Sequence, residues 1–219
     1  MNKLLVTDVD YFSIVKNYED VYAKLSPYRK EKVSKRKILS DKLLTVTSSA
    51  LLIRALLDVG FNEEDAIYEE NSSGKPSITN VGNFNFSISH SENMAICAYG
   101  EDIIGADIEY VKYPNYNIIG RFFTEEEKEF LSTFTSNKIK EKMFFYIWTG
   151  KEAVSKAIGK GISIGFNSFS LVKDGVIANS VEVDGKILHI KYDEYKDYVI
   201  CVASLNEEFE DITEVVFQK

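Results

Sequence analysis

Two strand-like runs of similar make-up, MAICAYG from Met94 and YVICVAS from Tyr198, stand 104 residues apart and constrain this chain more than any other feature. Each is an apolar run that reads as a strand. What precedes each run repeats as well. Ser26-Pro27 places an N-cap and an N1 proline ahead of a basic helix; Thr124 and Glu127, with capping-box spacing, open another 98 residues later. A long periodic helix follows each, Leu39 to Leu57 stopped by Gly60, and about Lys138 to Ile158 stopped by Gly159 and Gly161. Strands are predicted at 2–9, 84–89, 94–99 and 103–108, and again at 168–173, 176–183, 187–192 and 198–204, with turns at Gly175 and Gly185. Gly100-Glu101-Asp102 is read as a hairpin connection joining 94–99 to 103–108 in one small antiparallel sheet. The order predicts an α+β fold of two similar halves, 1–105 and 106–219, with a ligand cleft between them.

A hydrophobic fraction of 45% over 219 residues is enough for a substantial core and excludes disorder. No stretch approaches the roughly 18 apolar residues of a membrane span. Residues 1–10 lack the charged and apolar regions of a secretory signal, so the expectation is a cytoplasmic protein with no membrane partner. Cys97 and Cys201, inside the two strand-like runs, read as buried thiols with no zinc spacing around them. The net charge of −8 argues against nucleic acid as a partner. Segment 26–42 nonetheless holds seven basic residues against Glu31 and Asp41. Such a helix is either a solvated face or the seat of a small anionic ligand.

Three motifs carry chemistry. In Gly105-Ala-Asp107-Ile-Glu109, strand alternation sends both carboxylates to one face, where they are solvated, paired or bound to a cation. Trp148, Glu152 and Lys156 share one helical stripe. The stripe is either a core tryptophan with a Glu–Lys surface pair, or a further metal ligand with a phosphate contact. Phe84 to Ser91 alternates apolar with polar residues and ends in Ser89-His90-Ser91, a cluster of donors suited to phosphate oxygens. No nucleophile elbow or partner acid makes Ser89 and His90 a hydrolase pair.

Taken in order, Gly74-Lys75-Pro76, Phe86 to Ser91, Gly105 to Glu109, Phe122-Phe123, Trp148 to Glu152 with Lys156, and Gly159-Lys160-Gly161 resemble the 4′-phosphopantetheinyl transferases. The resemblance spans about residues 26–204. Length and duplication are similar to the Sfp-type branch, monomers of two halves, rather than the short trimeric holo-acyl-carrier-protein synthases. It implies transfer of the 4′-phosphopantetheine arm of coenzyme A to a serine of an apo carrier protein, dependent on Mg²⁺ and releasing 3′,5′-ADP. Asp107, Glu109 and Glu152 would be the metal ligands, with Glu152 also the candidate general base. Lys156 would hold the pyrophosphate, Lys75 and Pro76 would lie along the adenine, and Ser89 and His90 would contact phosphate. Arg29 and Lys32 match the basic residues that hold the 3′-phosphate. Where the family commonly shows an arginine this chain reads Leu43-Leu44-Thr45, so Thr45 would supply a hydroxyl and Lys42 or Arg36 the charge. Aromatic residues in 111–137 would meet a carrier helix or fill the protein's own core. The competing reading is a degenerate homologue that binds coenzyme A or a carrier without chemistry; a different Mg²⁺-dependent phosphoryl enzyme would want a Walker-type glycine loop, and none is present.

Overall fold

In the computed structural model, which describes residues 1–11 and 15–217, β1 (Lys3–Asp8) leads into helices α1 (Val15–Ala23), α2 (Pro27–Ser34) and α3 (Leu39–Leu57). A ribbon of β2 (Tyr68–Glu70) and β3 (Pro76–Ile78) precedes β4 (Asn85–Ser91) and β5 (Met94–Gly100). The order then recurs as β6 (Ile104–Tyr110), α4 (Ile119–Phe122), α5 (Glu125–Ser132) and α6 (Asn137–Ile158). After a ribbon of β7 (Val172–Lys173) and β8 (Val176–Ile177) come β9 (Ser180–Val183), β10 (Lys186–Tyr195), β11 (Tyr198–Ser204) and β12 (Thr213–Glu214).

One sheet has the order β12-β1-β5-β4 and the other β6-β11-β10-β9. The two similar runs, β5 and β11, occupy matching central places, each between an early strand and a late one. Their alternation serves two cores. Cys97 faces Leu51, Leu52 and Ala55 of α3, and Cys201 faces Ala153, Val154 and Ala157 of α6. Both thiols are free and buried, as expected. The other faces meet: Leu4, Val6, Ile96 and Ala98 pack against Ile104, Ala106, Ile108, Ile200 and Val202. The layers are therefore α3, sheet, sheet, α6, and the fold is α+β.

The helix boundaries follow their caps. Ser26 Oγ accepts from the Arg29 N–H at 3.3 Å with Pro27 at N1, and Thr124 and Glu127 form the full capping box. α6 ends on Gly159, left-handed at φ 76°, as a glycine C-cap should.

The expected hairpin between β5 and β6 is overturned. Gly100 is not among the positive-φ residues; it sits close to Asn2, whose Oδ1 would stand 2.7 Å from an added Cβ. The hairpin turn lies one strand earlier, between β4 and β5, with Glu92 at φ 47°. The chain leaves β5 for the other sheet, where β6 pairs with β11 and turns Ile104, Ala106 and Ile108 into the shared core. The tail also departs from a single cut at residue 105. It returns to the first sheet, where β12 runs parallel to β1 and the Val215 N–H donates to Val6 O at 2.8 Å. Among the described residues no helix is long and apolar enough to cross a membrane.

Candidate active site

Gly105 decides how α6 lies on β6. An added Cβ there would stand 2.1 Å from Ala153 O and 2.2 Å from Ala157 N, so only glycine lets the helix backbone come this close. The approach brings the stripe of Glu152 and Lys156 over the strand face that carries Asp107 and Glu109. Lys156 Nζ donates to Asp107 Oδ1 at 2.6 Å and to Ser89 Oγ at 2.8 Å, and Ser89 Oγ donates to the same Asp107 oxygen at 2.7 Å. The Glu–Lys surface pair weighed from sequence gives way to an ion pair that joins the helix to the strand.

Asp107 is 4% exposed, and its other oxygen, Oδ2, is buried without a hydrogen-bond partner. Glu109 accepts from Ser91 Oγ at 3.2 Å and is bonded by Trp148. Burial and then the Asp107 charge push its carboxyl up to about 7. The same two causes raise Glu152. The Asp107 charge bears on both Glu109 and Glu152, its own Oδ2 is orphaned, and oxygen ligands of this kind suit Mg²⁺. Among the described residues no three acidic, His or Cys groups stand close enough to enclose an ion unaided. The carboxylates as placed do not enclose an ion; water and substrate phosphate would have to complete its shell.

Two cavities meet here. One, of about 310 Å³, runs between the 73–76 loop of the first half and the C-terminal end of α6, over Phe86 and Ile88, with Lys75 and Pro76 on one wall and Glu152 and Lys156 on the other. The loop is fastened across the gap: Asn71 Nδ2 donates to Gly159 O at 2.7 Å, and Lys75 Nζ donates to Ile104 O at 3.1 Å and Ala157 O at 3.2 Å. Burial lowers the Lys75 ammonium to about 8. The second cavity, about 340 Å³, shares Ile88 and Lys156 with the first and is lined by Arg29, Lys32, Arg36, Thr45, Ser89 and His90. Arg29 is 4% exposed; its guanidinium donates to Ser49 Oγ at 3.1 and 2.8 Å, with no carboxylate at ion-pair distance among the described residues. The buried Glu63 carboxylate feels its charge but is not at ion-pair distance, and an anion in this cavity would add to the balance. Partial desolvation, then Lys156 and Arg36, push His90 below its ordinary value. Lys32 pairs with Glu70 at 2.5 Å, and the Thr45 hydroxyl donates to Asp41 O at 2.7 Å. Arg36 lines the cavity near Thr45; Lys42, the other substitute weighed from sequence, does not.

Sequence reasoning missed the groups that hold the site from behind. Lys151, 0% exposed, donates to Phe166 O at 2.6 Å and Phe169 O at 2.8 Å and pairs with the equally buried Glu127 at 2.9 Å. Glu127 also accepts from the N–H groups of Thr124 and Leu171. Every proton of the ammonium has an acceptor, so the pair locks α6 in rotation at the residue next to Glu152. The capping-box spacing identified Glu127 but not this second partner. Gly150, whose added Cβ would meet Tyr192 Oη at 2.1 Å, carried no signal either. Of the aromatic residues in 111–137, Phe123 is buried and Phe122 and Phe130 pack on the same core, while Tyr113 stands 78% exposed.

The model of the 4′-phosphopantetheinyl transferase superfamily matches residues 103–203, the stretch that holds all three carboxylates and Lys156. The chain is 30% identical over 202 residues to 4′-phosphopantetheinyl transferase Sfp of Bacillus subtilis strain 168, covering 89% of each chain. It is 31% identical to 4′-phosphopantetheinyl transferase ffp of Bacillus subtilis over 77% of each. It is 37% identical to 4′-phosphopantetheinyl transferase psf-1 of Bacillus pumilus, over 51% of this chain and 48% of that one. With relatives that match most of its length and a cleft built at the seam of two like halves, the chain belongs to the 4′-phosphopantetheinyl transferase superfamily.

Proposed function

We propose that the protein, a phosphopantetheinyl transferase by family, moves the 4′-phosphopantetheine arm of coenzyme A to a serine hydroxyl of an apo carrier protein in the cleft between its halves. The observation that carries this is the meeting of two cavities at Lys156, one basic and one partly apolar, where Lys156 pairs with Asp107 and Glu152 lines one wall. Coenzyme A has a matching layout, with a phosphomonoester, a flat base and a pyrophosphate. Arg29, Lys32 and Arg36 would take the 3′-phosphate with His90; Thr45 and Ser89, whose single hydroxyl protons go to Asp41 O and Asp107, would turn to contact phosphate; and Lys75 and Pro76 would flank the adenine. Lys156 has committed two of its three protons to Ser89 and Asp107, leaving one for a pyrophosphate oxygen.

Asp107, Glu109 and Glu152 would hold Mg²⁺, which when bound supplies positive charge to the pyrophosphate oxygens. The carrier serine Oγ attacks the β-phosphorus, the bond from that phosphorus to the bridging oxygen breaks, and 3′,5′-ADP leaves. Glu152 takes the serine proton, a role favoured by a carboxyl whose basicity burial has raised. The halves, 1–105 and 106–219 apart from the returning tail, supply both walls from one chain, so the working form is taken as a monomer.

Incubation with coenzyme A, Mg²⁺ and an apo acyl or peptidyl carrier should raise the carrier's mass by one phosphopantetheine arm. Asp107→Asn and Glu152→Gln should each lower that transfer at least about a hundredfold with the fold intact by circular dichroism. Binding of coenzyme A without transfer to any of several unrelated carriers would instead support a non-catalytic homologue.

A further inference from the structure

β4 carries serine at 87, 89 and 91, and strand alternation puts all three on the face away from α3, with Phe86 and Ile88 turned toward it. That face looks onto β6. β6 pairs with β11 along one edge, so its other edge would present bare N–H and C=O groups inside the protein. The serines meet that edge in place of a strand. Ser87 Oγ accepts from the Ala106 N–H at 2.9 Å and donates to Ala106 O at 3.4 Å. Ser91 Oγ accepts from the Tyr110 N–H at 3.1 Å and donates to Glu109 Oε2 at 3.2 Å. Ser87 and Ser91 each lie nineteen positions before the residue whose N–H they take, which is the register of two parallel strands. Ser89 stands at the intermediate step, but its hydroxyl goes to Asp107.

We propose that Ser91 is a positioning residue for the divalent cation site: anchored on the Tyr110 N–H, it fixes the Glu109 carboxylate relative to Asp107. Ser87, on the same seam but bonded only to backbone, holds the sheets together without touching a carboxylate. The inference rests on reading Asp107, Glu109 and Glu152 as the groups that hold the ion, and it adds what keeps one of them in place. Groups bonded behind a metal ligand commonly change affinity by about ten- to a hundredfold when removed.

The test is Mn²⁺ binding, followed by calorimetry on wild type, Ser91→Ala, Ser91→Thr and Ser87→Ala, with the melting temperature of each. Ser91→Ala should bind Mn²⁺ about tenfold more weakly, and Ser91→Thr, which restores a hydroxyl, should recover most of that loss. Ser87→Ala should melt earlier yet bind Mn²⁺ within about twofold of wild type. Should Ser91→Ala fail to fold, Ser91→Cys keeps the shape while weakening the donor and takes its place. Equal Mn²⁺ affinity in wild type and Ser91→Ala, or the same loss in Ser87→Ala, overturns the positioning role. A wild-type protein that binds no Mn²⁺ overturns the metal reading itself, a separate result.

Discussion

Glu109 keeps its proton to about pH 7 because it is buried and because Asp107, two residues away on the same strand face, repels its charge. Between the ordinary value of 4.5 and about 7, the folded carboxyl holds a proton that the unfolded chain has released. By linkage the metal-free protein therefore loses stability as pH rises through that window. Glu152 is shifted in the same direction and adds to the slope. A divalent cation binds the ionised form and reverses the preference. Thermal melting in a chelator should fall as pH is raised from about 5 to about 7.5, less steeply in Glu109→Gln, and saturating Mg²⁺ should flatten the wild-type curve. A chelated wild-type protein with the same slope as Glu109→Gln would show that the carboxyl is not perturbed.

At the scale of elements, the decisive contact is α6 on β6. Most helix-on-sheet packings leave room for side chains between the two, but here backbone meets backbone at Gly105. The flexible end of a neighbouring side chain could yield to a new methyl group, whereas Ala153 O and Ala157 N belong to the helix backbone and cannot. Gly105→Ala must push the helix away and carry Glu152 and Lys156 with it. The expected result is a loss of about 1–3 kcal/mol in chemical denaturation and a fall in both kcat and coenzyme A affinity, because Lys156 moves with the helix and Lys75 is bonded to Ile104 O and Ala157 O beside the displaced backbone. Wild-type kcat in this variant would mean that the helix position is not critical to the chemistry.

For the whole molecule, the shared core between the sheets and the returning tail make the two halves interdependent. Thr7 Oγ donates to Val215 O at 2.7 Å, Val215 and Phe217 pack on the first-half core, and Asn2 Nδ2 donates to Asn206 O at 2.9 Å. Deleting residues 209–219 would bare the outer edge of β1 and the apolar surface beneath it. Such an edge invites pairing with another chain. The truncated protein should melt several degrees lower and self-associate in light scattering as concentration rises. An unchanged melting temperature and a monodisperse sample would show the tail to be dispensable.

Local chemistry made much of this protein legible from its residues. Serine and proline or the Thr124–Glu127 spacing mark helix starts, since orphan N–H groups need acceptors close by in sequence, and alternation puts Asp107 and Glu109 on one face. The two like runs pointed to a duplicated unit, and the structure places both at the centre of a sheet, where each must be apolar on both faces. What depends on distant neighbours was hidden. Gly100 looked like a turn residue because glycine serves tight approach and positive φ alike, and only the packing on Asn2 distinguishes them. Ser87 and Ser91 looked like ordinary polar positions until β6 came to lie beside them. Lys151 and Glu127 each had a sufficient local reading, yet their burial as a pair needs three segments to converge. By itself the sequence determined most of the elements, their duplicated order and the resemblance that nominates the candidate site residues. The tertiary structure decided which sheet β6 joins, and so where Asp107 meets Lys156, because that choice rests on how two apolar faces pack rather than on any pattern within one segment.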